Sequence, residues 1–68
     1  MEKALNIIHL IASEISDQHI FLSDIADVLA DGEALRHLGI SDDDQTAVEC
    51  ASALVLELIQ SGKKYWND

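Results

Sequence analysis

The sequence predicts an all-α fold: a small helical bundle of three to four helices with a long C-terminal helix. Three observations carry this. Apolar residues recur at helical spacing along most of the 68 residues. The apolar content is aliphatic, with 49% hydrophobic residues against 4% aromatic and no proline, which suits helix packing. Start and stop signals fall at the ends of the periodic stretches. A chain of this length has room for one domain, read as a single acidic helical domain over residues 1–68 with a tail at 63–68.

Glu2 to Ser16 is the first expected helix. Leu5, Ile8, Ala12 and Ile15 recur on one face, and Ala4, Ile7 and Ile11 widen the stripe. Glu2, Asn6, His9, Ser13 and Ser16 form the opposite polar line. Leu10 falls on the polar side, a hint of a second contact surface. The Asp17–Gln18 pair reads as a connection, and His19–Leu22 as either a strand-like run or the lead into the next helix. Ser23 is an expected N-cap for a short helix over Asp24–Ala30, with Ile25, Val28 and Leu29 facing inward. A helix from Gln18 through Asp31 is the alternative, and Asp31-Gly32 is the expected stop for both. Glu33 to Leu38 adds one or two turns with Ala34, Leu35 and Leu38 inward and Gly39 as terminator.

Ser41 to Gly62 is the long helix. Ser41 is the expected N-cap, and Asp42, Asp43 and Asp44 complement the positive end of the helix dipole. Ile40 before the cap is placed to act as a hydrophobic staple. Gly62 suits a left-handed stop, with Lys63 and Lys64 beside the negative end. Ala47, Val48, Ala51, Leu54, Val55, Leu58 and Ile59 make the core stripe. A second apolar row, Cys50, Ala53 and Leu56, interrupts the polar face of Glu49, Glu57 and Gln60. Tyr65 and Trp66 in the tail are expected to fold back onto the last turn.

A core this small supplies roughly 3–5 kcal/mol, so such chains usually carry a staple or form an oligomer. With Cys50 the only cysteine, an intrachain disulfide and four-thiolate or Cys₂His₂ zinc sites are excluded, and the thiol is expected to pack as a small hydrophobe. Oligomerisation is the remaining route. The expectation is a homodimer joined along Cys50, Ala53 and Leu56, with the first helix contributing.

Charge narrows the partners. The formal net charge is −9, from 13 acids against 4 bases. Between Glu14 and Glu57, Arg36 is the only base. Binding nucleic-acid phosphates directly would place like charges together. An acidic surface of this kind keeps a small protein soluble, and it can also steer a partner with a basic surface. Asp24, Asp27, Asp31, Asp42, Asp43 and Asp44 are the candidate partner-binding residues. The N-terminal residues carry acids and hold no apolar run of signal or membrane-spanning length, so a soluble cytoplasmic protein without membrane attachment is expected.

Catalytic, metal and cofactor motifs are missing from the sequence. His9, His19 and His37 share no metal spacing. An EF-hand loop with Gly32 as its central glycine would place Leu29 at one ligand position and Leu38 at the bidentate glutamate position. Nothing in the pattern pairs two carboxylates for acid–base work.

The stretch LGISDDDQTAVECASALVLEL, Leu38 to Leu58, resembles the acyl carrier proteins around their attachment serine. That family is small, acidic and four-helical, and its helix begins at an Asp-Ser-Leu motif. Here Ser41 precedes Asp42, no leucine follows, and the serine opens the last helix rather than a helix in mid-domain. The resemblance implies a phosphopantetheine on Ser41, while an ordinary cap explains the same residues. The expected function is a non-catalytic, acidic protein–protein interaction and regulatory module with no enzyme activity and no cofactor. The alternative is a nucleic-acid mimic that inhibits a DNA- or RNA-binding protein.

Overall fold

Helix periodicity accounts for most of the architecture. The computed structural model describes residues 2–15 and 19–66, in the order α1 (Glu2–Ile15), α2 (Leu22–Leu29), α3 (Gly32–His37), a 3₁₀ turn (Asp42–Asp44) and α4 (Gln45–Gln60). The all-α bundle with a long C-terminal helix is what the structure shows, with no named strand among the described residues. The expected helix end at Ser16, the Asp17–Gln18 connection, and Asn67 and Asp68 of the tail lie outside the described residues.

The core is aliphatic throughout. Ala4, Ile7, Ile8, Ile11 and Ala12 come from α1, Leu22, Ile25 and Leu29 from α2, Leu35 from α3, and Val48, Ala51 and Val55 from α4. Ile20 and Ile40 close it from the connections. Each large aliphatic fully removed from water contributes about 1.5–3 kcal/mol, so Ile8, Ile25 and Val55 are among the residues the fold depends on. α4 packs against both α1 and α2. Its expected stripe holds at Val48, Ala51 and Val55, with Ala47, Leu54 and Leu58 half-buried, but Ile59 is 37% exposed rather than core.

Backbone capping explains where the elements stop. Gly39 (φ 83°) and Gly62 (φ 98°) both adopt the left-handed conformation that a side chain resists. At each, the amide after the glycine reaches back five residues: Ile40 to the Leu35 carbonyl at 3.0 Å and Lys63 to Leu58 at 3.1 Å. The glycine amide closes the inner bond, to Arg36 and Ile59 respectively, which completes the Schellman pattern. Ile40 is buried, as is its cap partner Leu35.

Three boundaries differ from the sequence expectation. α2 begins at Leu22, so Ser23 is not its cap; Phe21 precedes the helix with extended backbone and no side-chain cap. The reason lies in the tail. The Leu22 amide donates to the Lys64 carbonyl at 2.9 Å and the Trp66 amide to the Ile20 carbonyl at 2.7 Å, forming an isolated antiparallel bridge of Phe21 with Tyr65. The tail satisfies the first orphan amide of the helix, and Leu22 reaches the core. The second concerns Asp31: α2 stops before it as expected, with the Asp31 amide donating to the Val28 carbonyl at 3.0 Å, but Asp31 also opens α3, its carboxylate accepting from the amides of Glu33 at 3.1 Å and Ala34 at 3.3 Å. The third is the start of the long helix, where the three aspartates form a 3₁₀ turn and the α-helical part begins at Gln45.

The tail folds back onto α1 and the segment before α2. Trp66 packs against the core and meets His9 edge-on at 5.5 Å. Tyr65 lies against His19 at 5.0 Å and Phe21 at 4.9 Å.

Candidate interaction surface

The large apolar side chains that the fold leaves outside its core mark a surface. Leu56 is 55% exposed, Phe21 45% and Leu10 38%. Leu56 and Ile59 are one turn apart on α4. Ile59 in turn shares a cleft of about 150 Å³ with Phe21, Leu22, Ser23, Lys63 and Lys64. Phe21 is fixed there by the bridge and by its contact with Tyr65. An apolar wall with a basic rim therefore sits at the C-terminal end of α4.

Cys50, Ala53 and Leu56 are all exposed. For Cys50 this corrects the expectation of a packed thiol. The physical reason is the spacing: a row stepping by three residues drifts about 60° per step on a helix that turns about 100° per residue. Cys50 thus lies about 120° around α4 from Leu56, beside Lys3, Asp43, Asp44 and Thr46. Ala53 lies between the two.

The six candidate aspartates fall on three elements. Asp24 and Asp27 are exposed on α2, Asp31 caps α3, and Asp42 to Asp44 form the turn before α4. Two of the six have structural work within the fold. Asp31 holds two amides. Asp44 pairs with the Lys3 ammonium and accepts from the Ser41 amide and hydroxyl, each at 3.4 Å. The Lys3 hydrogen bond holds the Asp44 carboxyl below its ordinary range, outweighing the opposing effect of desolvation. The same bond raises the Lys3 ammonium. Asp24, Asp27, Asp42 and Asp43 have no ion-pair partner among the described residues.

A second concavity, about 300 Å³, has an apolar floor of Ile11, Ile15, Val28, Ala34 and Leu38 between α1, α2 and α3, with Glu14 and His37 at its edge. Among the described residues no three His, Cys, Asp or Glu side chains come together as a metal site, and no helix is long and apolar enough to cross a membrane.

Sequence reasoning missed Ile59 as an exposed neighbour of Leu56 on α4, and missed Phe21, Lys63 and Lys64 as the residues that share a cleft with Ile59. A usable signal is the alternating three- and four-residue spacing of Glu49, Ser52, Leu56 and Ile59, which traces one side of a helix. No protein-family model matches this chain, and no curated protein or solved structure matches it either.

Proposed function

We propose that this chain is a non-catalytic protein–protein interaction module that self-associates and acts by engaging other chains through the outer face of α4. The observation that carries this reading is Leu56, a large aliphatic more than half exposed on a helix whose core side is already filled by Val48, Ala51 and Val55. Exposed aliphatics clustered with a rigid aromatic and a charged rim are a common composition for a binding surface. The reading carries no cofactor and no reaction.

A second reading, the nucleic-acid mimic, draws on Asp24, Asp27, Asp42 and Asp43, which are exposed without a basic partner among the described residues. Asp31 and Asp44 fit it less well, since the fold uses both. Affinity capture from native cell extract with stepwise salt elution separates the two. The interaction module predicts capture that resists salt and disappears in Leu56→Asp. The mimic predicts capture that elutes at modest salt and disappears when the four free aspartates become asparagine. Capture that neither variant changes would sink both readings.

A further inference from the structure

We infer that the cleft at the C-terminal end of α4 seats one apolar side chain of a partner peptide that carries carboxylates beside it. This rests on the interaction-module reading and names the partner's chemistry at one end of the α4 face. The cleft is lined by Phe21, Leu22, Ser23, Ile59, Lys63 and Lys64. Leu22 is fully buried, while Phe21 and Ile59 are 45% and 37% exposed, so the apolar lining is open to a visitor.

Size decides the kind of occupant. Sites for drug-sized molecules run to about 300–1,000 Å³. This cleft holds about 150 Å³, room for a single side chain of a peptide.

Charge decides what stands beside that side chain. The chain has 4 bases against 13 acids. Lys3 is paired with Asp44, and the Arg36 Nε donates to the Gly32 carbonyl at 3.4 Å. Lys63 and Lys64 have no ion-pair partner among the described residues, and both line this cleft. Asp24 follows Ser23 but makes no ion pair with either lysine. The cations that the fold leaves unpaired therefore border one apolar cleft, which favours an acidic neighbour and disfavours a basic one. The net charge of −9 acts mainly on long-range approach, because physiological salt screens charges beyond about 8 Å, whereas the lysines act at contact.

The walls are ordered before anything binds. After the left-handed Gly62, the Lys63 amide donates to the Leu58 carbonyl at 3.1 Å, which ties it to α4. The Lys64 carbonyl accepts from the Leu22 amide at 2.9 Å, which ties it to the start of α2. The Phe21 ring is held by Tyr65 at 4.9 Å. A site already fixed in this way loses less freedom on binding than a mobile one. Ser23, also in the lining, offers a hydroxyl donor to a carboxylate.

The test titrates the isotope-labelled protein with the blocked peptide Gly-Leu-Asp-Asp-Gly and follows backbone amides by nuclear magnetic resonance. The amides of Ser23, Lys63 and Lys64 should shift, and Gly-Leu-Lys-Lys-Gly should bind about tenfold more weakly. On net charge alone an acidic chain prefers the lysine peptide, so the predicted preference has the opposite sign to a non-specific effect. Replacing the peptide leucine by alanine should also weaken binding about tenfold. In the Lys63→Glu, Lys64→Glu double variant the preference should reverse. That variant keeps the Lys64 backbone carbonyl on which the bridge depends, and circular dichroism confirms that it is folded.

A wild type that prefers the lysine peptide overturns the inference, as does the lack of any shift at these amides with millimolar acidic peptide. Shifts at the same amides on concentrating the protein alone also overturn it, since a second copy then fills the cleft. The capture experiment judges the broader reading separately: loss of capture in Leu56→Asp keeps the module, and unchanged capture removes it.

Discussion

The Lys3 ammonium pairs with the Asp44 carboxylate, tying the first turn of α1 to the turn that opens α4. Asp44 also accepts from the Ser41 amide and hydroxyl. One carboxylate therefore serves a helix start and a contact between two helices.

That pair predicts a pH dependence with a definite sign. The Asp44 carboxyl is lowered, so its contribution is present above the ordinary carboxyl value of 3.8 and is lost as pH falls through the folded value. The Lys3 ammonium is raised, so its contribution is present below its ordinary 10.5 and is lost as pH rises through the folded value. Lys3→Met should lower the urea midpoint slightly at neutral pH. The gap between wild type and variant should close in strong acid and again in strong base. Because the lysine is largely exposed, added salt should also narrow it.

Core truncation should be severe for a chain with so few buried residues. Ile25 and Ile8 are fully buried. Replacing either by alanine should cost about 2–5 kcal/mol, comparable with the roughly 3–5 kcal/mol that a core of this size supplies. Thermal melts followed by circular dichroism should show a much lower midpoint or no cooperative transition.

The glycines separate by conformation. A Cβ at Gly39 or Gly62 meets nothing within 4 Å, so the cost of alanine there is backbone strain alone, about 1–2 kcal/mol. Gly32 also has open space but no left-handed angle. Gly32→Ala should leave stability unchanged or raise it by up to about 1 kcal/mol. Equilibrium urea unfolding of the three variants checks the order.

Much of the fold was legible because helix periodicity and glycine stops are local signals. The stripe of α1, the two glycine terminators and the inward faces of α2 and α3 follow from spacing alone. The start of α2 was not legible. Its first amide is satisfied by the carbonyl of Lys64, 42 residues further along the chain, and no local pattern around Ser23 encodes that partner. The surface was half legible. Leu56 stood out as apolar on a polar face, but Ile59 was assigned to the core and Phe21 had no assigned place. Their shared cleft depends on how the tail closes against the segment before α2.

The aspartates divide into structural and free. Asp31→Ala removes a side-chain cap and should cost about 1 kcal/mol. Asn at Asp24, Asp27, Asp42 or Asp43 should stay within about 0.5 kcal/mol of the wild type. Chemical denaturation of the set measures this. A large loss at any of the four would make that residue part of the fold and remove it from the mimic reading.

Leu56 is proposed to join two copies of this chain through α4. Sedimentation equilibrium of the wild type and Leu56→Asp, side by side in the micromolar range, tests it most directly. The wild type should sediment as a dimer and the variant as a folded monomer with unchanged helical circular dichroism. Two proteins that sediment alike, both as monomers or both as dimers, would contradict it.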